Sequence, residues 1–196
     1  MDMTREQITA GILAGGEGRR LGGIDKGWYE IGGRPLIEHT LARVETQCAR
    51  AVISANRSLA RYRALNLPVH VDDSDEFRGP LAGIVSVLRA ATTPYVLIVP
   101  VDTPAMPADL APCLADAMRP ATELAVARCE DRVQPLHALM RRDVLADLET
   151  ALFAGVRAVS EWHDRLSTVT VDWPDCAGFA NINSEDDARA LAERLQ

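Results

Sequence analysis

Apolar positions along the chain follow two alternating rhythms. Ile8–Leu13 is a short, mainly apolar run that stops at glycines, the pattern of a buried strand. Over Pro35–Gln47 the rhythm changes, and Ile37, Leu41, Val44 and Cys48 recur at helical spacing. Ala51–Ser54 and Val69–Val71 read as strands again. Pro80–Ala91 is the strongest helical segment: Leu81, Ile84, Val85 and Leu88 fall at i, i+3, i+4 and i+7, and Pro80 suits the first helical position. Tyr95–Val101 predicts a central strand ending at Pro100, which cannot donate a ladder bond. Ala108–Met118 then predicts a helix, Glu123–Arg128 and Pro135–Met140 strands, and Asp143–Phe153 a helix with Val144, Leu148, Ala151 and Leu152 inward. Leu166–Trp173 alternates like a strand. Ser184–Leu195 predicts a last helix, opened by Ser184 and Asp187 in a capping arrangement.

Strands alternating with helices imply an α/β protein with a mostly parallel sheet covered on both faces. The 196 residues contain no repeat, linker or low-complexity tract, so a single domain over residues 1–196 is expected. Apolar residues make up 47%, enough for a sizeable core. With 21 basic and 28 acidic residues the net charge is −7, which opposes tracking along nucleic-acid phosphates but allows a local basic pocket for one small anion. No run approaches the roughly 20 apolar residues of a membrane span, and Ile8–Ala14 is too short for a signal-peptide core. Neither a membrane nor a nucleic-acid partner is expected. Cys48, Cys113, Cys129 and Cys176 are separated by 65, 16 and 47 residues, without metal-ligand spacing. They read as reduced thiols of a cytoplasmic protein.

In such a fold ligands sit beyond the carboxyl ends of the strands, which directs attention to four loops. Ala14–Lys26 holds five glycines between Gly15 and Gly23, together with Arg19, Arg20 and Lys26. Glycines permit close backbone approach and, with cations, suit a nucleotide's phosphates. The loop matches neither GxGxxG, since Leu21 stands at its last glycine, nor GxxxxGK, since Asp25 precedes Lys26. Asp102 follows the Tyr95–Val101 strand, where a carboxylate can hold Mg²⁺ jointly with substrate phosphates, or simply cap a turn. Asp72 and Asp73 follow the Val69–Val71 strand and either bond a base or ribose or form a solvated acidic loop. Asn181 and Asn183 fall on one side of an extended segment, with Ile182 opposite. Gly83 sits within a helix, where it costs roughly 1 kcal/mol relative to Ala, so a close neighbour is expected there. Ser160, His163 and Asp164 read as the polar face of a short helix rather than a triad.

These residues resemble a family. LAGGEGRRLGGIDKG at residues 13–27, Gly32–Leu36, Asn56-Arg57, Gly79–Gly83, Asp102-Thr103-Pro104 and Phe179–Asn183 look like the molybdenum cofactor guanylyltransferases, within the nucleotidyltransferase superfamily. The resemblance runs from about Ile8 to Leu195 and implies a three-layer αβα Rossmann-like fold. It implies transfer of GMP from GTP to the terminal phosphate of molybdenum-molybdopterin, giving the guanine dinucleotide cofactor and pyrophosphate. Carried over by position, Leu13, Ala14 and Gly15 line the guanosine site, Asp73 contacts the nucleoside, and Arg20 and Lys26 hold GTP phosphates. Asp102 binds Mg²⁺, and Asn181 and Asn183 lie on the acceptor side. Arg20, Lys26 and Asp102 are thus the expected catalytic set. Cofactor-insertion or molybdoenzyme proteins are the implied receivers of the product. Two positions depart from the pattern: Ser54 stands where an Asn is usual, and Gly18 replaces a small polar residue. A cytidylyltransferase of the same superfamily, with a pterin, sugar or alcohol phosphate as acceptor, is the rival enzyme. A GTP-binding module without catalysis is the rival of another class.

Overall fold

The computed structural model describes residues 3–15, 25–71 and 79–194. Strand β1 (Ile8–Leu13) comes first. A small antiparallel ribbon, β2 (Glu30–Ile31) and β3 (Arg34–Pro35), leads into α1 (Leu36–Val44). The chain continues through β4 (Arg50–Ser54), α2 (Leu59–Arg63), β5 (Val69–His70), α3 (Pro80–Ala90) and β6 (Tyr95–Pro100). Then come α4 (Leu110–Ala117), β7 (Leu124–Cys129), β8 (Arg132–Arg141), α5 (Leu145–Phe153), α6 (Val159–His163), β9 (Thr168–Asp172) and α7 (Glu185–Arg194).

Seven strands form one sheet in the order β5-β4-β1-β6-β8-β7-β9. Every neighbouring pair is parallel except the two made by β8, which runs against both β6 and β7. The sheet is therefore mostly parallel, as expected, with one reversed strand. Period-2 alternation divides its side chains between two cores. Ile12, Leu97 and Val99 face one side, under Leu41 of α1, Leu110 of α4 and Leu191 of α7. Val52, Val96, Ile98 and Met140 face the other, under Ile84 of α3, Leu148 of α5 and Trp162 of α6. These are the three layers of an αβα fold. Among the described residues no helix is long and apolar enough to cross a membrane.

Gly83 has its close neighbour. A Cβ there would stand 2.9 Å from Ser54 Oγ and 3.0 Å from Leu13 Cδ2. The missing side chain lets α3 lie tightly over β1 and β4, so its amino terminus reaches the carboxyl edge of the sheet.

Two expectations need correction. Cys129 and Cys176 form a disulfide with Cα atoms 5.6 Å apart, while Cys48 and Cys113 remain thiols. The pairing is tertiary: the end of β7 meets the short turn Cys176–Phe179, and a 47-residue separation carries no signal of it. His163 is not on a polar face either. It is 5% exposed and packs beside Trp162, because α6 turns that side inward onto the sheet.

Candidate active site

The chain runs outward from β1 to β4 and β5, then returns to place β6 on β1's other flank. At such a switch point the connections leave in opposite directions and open a crevice beyond the carboxyl ends. A cavity of about 480 Å³ lies there. One wall is built from Leu13, Gly15, Ser54 and Asn56 with Gly79, Pro80 and Gly83 of α3. The opposite wall is the first half of β8, Arg132 to His137. Lys26, Asp102 and Asn181 border the same space.

Backbone hydrogen bonds fix the rim. Ala14 N–H donates to the Ser54 carbonyl at 2.8 Å, and Val101 N–H donates to the Leu13 carbonyl at 3.0 Å. Ile182 N–H donates to the Asp102 carbonyl at 2.8 Å, which ties the terminal segment to the end of β6. That segment also leads into α7 through a capping box: Asp187 accepts from the Asn183 and Ser184 amides, and Ser184 Oγ accepts from Asp187 N–H. The Asn183 amide beside Asp187 holds that carboxyl below the usual carboxylate range.

The chemistry converges on Lys26. Its Nζ lies 2.6 Å from Asp102 Oδ2 and 2.6 Å from Asn183 Oδ1. The two ion-pair side chains are 11% and 19% exposed. An ammonium has three donors, and partners among the described residues take two of them. Above Asp102, Thr103 Oγ1 shares a 2.8 Å hydrogen bond with His137 Nε2. His137 also meets the Phe179 ring edge-on at 5.0 Å. Burial pushes His137 down to about 3, so it stays neutral and is a poor base.

The structure thus brings Leu13, Gly15, Lys26, Asp102, Asn181 and Asn183 to one place. Asn181 and Asn183 are exposed on one side, with Ile182 buried opposite, as the alternation predicts. Ala14 is different: it is buried and its N–H is committed to Ser54, so it does not border the cavity. Arg20 and Asp73 lie outside the described residues. Sequence reasoning missed the β8 wall, Arg132 to His137, as part of the site, and quoted Asn56 only as a motif without giving it a role. The two-residue turn Glu130–Asp131 makes the β7–β8 hairpin, with φ of 46° and 59°. It lacks the glycine or asparagine that normally marks such a turn.

Among the described residues no three acidic, histidine or cysteine side chains converge as a metal cage. Magnesium needs none when substrate phosphates complete its shell. A carboxylate bordering the cavity, with one oxygen engaged by Lys26, fits that kind of site.

Fold and crevice define a doubly wound α/β protein with a cavity at its switch point, bordered by Lys26 and Asp102. The MobA-like NTP transferase domain matches residues 10–168. The molybdenum cofactor guanylyltransferase of Ralstonia nicotianae is 41% identical over 95% of this chain and 97% of its own. That of Burkholderia vietnamiensis is 42% identical over 95% and 96%. Molybdopterin-guanine dinucleotide biosynthesis protein A from Archaeoglobus fulgidus superposes with a TM-score of 0.78 at 22% identity, over 96% and 98% of the two chains. A 4-diphosphocytidyl-2C-methyl-D-erythritol synthase from Anaerococcus prevotii superposes at 0.74 and 15%, over 97% and 96%, so the fold itself does not distinguish bases. The chain belongs to the molybdenum cofactor guanylyltransferase family of nucleotidyltransferases.

Proposed function

We propose that this protein is a magnesium-dependent, cytoplasmic guanylyltransferase that converts GTP and molybdenum-molybdopterin into the guanine dinucleotide cofactor and pyrophosphate. The observation that carries this reading is Lys26, held between Asp102 and Asn183 beside the switch-point cavity. The names of its relatives supply guanine and the molybdenum cofactor.

In this reading Leu13 and Gly15, with Asn56 and the start of α3, face the nucleoside, and Asp73 contacts it from outside the described residues. Lys26 binds the GTP phosphates with its third N–H, with Arg20 as a second cation. Asn181 and Asn183 lie toward the acceptor. An oxygen of the acceptor's terminal phosphate forms a bond to the α-phosphorus, and the bond from that phosphorus to the β-phosphate's bridging oxygen breaks. The electron pair leaves with pyrophosphate, whose charge Lys26 and Arg20 offset. The attacking phosphate monoester has a second pKa near 6 and is mostly ionised at pH 7, so no general base is needed. His137, neutral and bonded to Thr103, agrees with that. The chain's task is alignment and charge neutralisation. Asp102 would hold the magnesium ion, which when bound neutralises charge developing on the transferring phosphorus. Cofactor-insertion or molybdoenzyme proteins would receive the product.

Purified protein incubated with GTP, magnesium and molybdenum-molybdopterin is expected to release pyrophosphate with dinucleotide formation. Asp102→Ala is expected to abolish turnover while circular dichroism stays unchanged. Transfer from CTP in preference to GTP, or normal rates in Asp102→Ala, would overturn the base assignment or the metal assignment respectively.

A further inference from the structure

Lys26 does not stand on its own. It opens a single 3₁₀ turn, Lys26–Trp28, and the residues on both sides of it are gripped by Tyr62. On one side, the Tyr62 hydroxyl donates to Asp25 Oδ1 at 2.8 Å. The same oxygen accepts Gly27 N–H at 3.2 Å, closing the turn over Lys26. On the other side, the Tyr62 hydroxyl fills the space where a Gly27 side chain would begin, so a Cβ on Gly27 would collide with it. Tyr62 itself is fully buried. Trp28 packs on its ring at 5.1 Å between centroids, and the Arg61 guanidinium covers Trp28 at 4.0 Å. Burial first, and then the bond to Asp25, pushes the phenol upward, so Tyr62 remains a donor.

The second Asp25 oxygen is buried without a hydrogen-bond partner among the described residues. Burying a half-satisfied carboxylate is unfavourable, and a neutral residue would serve packing better. Asp25 Oδ1 instead joins the buried Tyr62 hydroxyl to the Gly27 amide, around the turn that carries Lys26.

We propose that Asp25 and Tyr62 are positioning residues that set the Lys26 ammonium for the nucleotide's phosphates, with Gly27 giving Tyr62 the room to do so. This rests on the role given to Lys26 above. Tyr62 lies on α2, which follows Asn56 of the nucleoside wall by only a few residues. The same short stretch of chain therefore carries a cavity-lining residue and holds the phosphate lysine. A long flexible side chain loses much freedom when fixed, and a fixed turn beneath it reduces how much must be lost on binding.

The test is calorimetric titration, with magnesium, of GTP and separately of guanosine, which lacks the phosphates. Wild type should bind GTP more tightly than guanosine, and Lys26→Ala should erase most of that difference. Tyr62→Phe, which keeps the ring, should weaken GTP about tenfold and leave guanosine unchanged. Asp25→Ala should match it, and the double variant should lose no more than either alone. Asp25→Asn keeps an acceptor oxygen for Tyr62 and Gly27, so it should stay close to wild type. Equal weakening of GTP and guanosine in Tyr62→Phe would mean a loosened fold and overturn the proposal. So would an Asp25→Asn loss as large as that of Asp25→Ala. Loss of GTP affinity in Lys26→Ala but not in Tyr62→Phe overturns this proposal and leaves the function standing. A wild type that does not bind GTP overturns both.

Discussion

Single residues with no side chain to offer can govern a binding wall. At Gly83 the space is already taken by Ser54 Oγ and Leu13 Cδ2, both of which line the cavity. Gly83→Ala gains about 1 kcal/mol of helix propensity but overpacks the contact, which costs roughly 1–3 kcal/mol. A net loss of about 0–2 kcal/mol should lower Tm by up to roughly 8 °C in a domain of this size, measurable by differential scanning fluorimetry. Because Gly83, Leu13 and Ser54 all border the cavity, displacing them should raise the KM for GTP as well. His163 shows the opposite case, a polar residue in an apolar place. Among the described residues neither ring nitrogen has a partner, and burial, opposed by Asp164, pushes it down to about 4. Its pKa is near 6.5 when unfolded. The unfolded chain therefore binds the proton first, and stability present above about pH 6.5 is lost as pH falls through about 4. At pH 5 the loss is on the order of 2 kcal/mol for this histidine. His137, pushed to about 3, adds to it. His163→Leu should show a smaller fall in Tm between pH 7.5 and 5 than wild type, and an equal fall would exclude His163 as a source.

At the scale of elements, β8 is the piece that pattern reading undervalued. Val126 pairs with Ala138 and Ala127 with Gln134, so Pro135, Leu136 and His137 stand opposite nothing on β7. This three-residue bulge turns them toward the cavity and beneath Phe179. Long periodic segments were legible: β1, α3 and β6 lie within a residue of their predicted bounds, because each buries a continuous apolar face. The direction of β8 was not, since its turn is Glu-Asp, and its extra residues break the period-2 pattern at Pro135, Leu136 and His137. Gly15, Lys26, Asp102 and the two asparagines could be singled out because strand ends are where ligands bind, whereas Tyr62 and His137 reach this region only through tertiary packing. The Cys129–Cys176 cross-link is tertiary in the same way. It fastens the tip of β7 to the turn preceding Asn181, closing a loop 47 residues long. Such a closure is worth about 2–4 kcal/mol through the unfolded chain. Reduction, or Cys129→Ser with Cys176→Ser, should lower Tm by roughly 5–15 °C. Proteolysis near residues 176–183 should also quicken, and an unchanged Tm in reductant would mean the bond does not form in solution.

The whole molecule is organised by one sheet that serves two cores. β1, β6, β7 and β8 each send alternate side chains to opposite faces: Leu97 and Val99 to the face under α1 and α4, Val96 and Ile98 to the face under α3 and α5. Neither core can be lost while the other stays, because removing one layer exposes strands the other needs. The cavity depends on both layers too. Gly83 belongs to a helix on one face, while Asp102 is followed by the chain that forms α4 on the other. This predicts a single cooperative unfolding transition over residues 1–196, although 196 residues is above the size at which two-state behaviour is usual. Trp28 sits with the first core and Trp162 in the second. Single-tryptophan variants that retain one or the other should therefore report the same midpoint in denaturant. Calorimetric and van't Hoff enthalpies should agree as well. Separate midpoints would divide the chain into two folding units, and the shared crevice would then lie across a boundary that opens before the molecule melts.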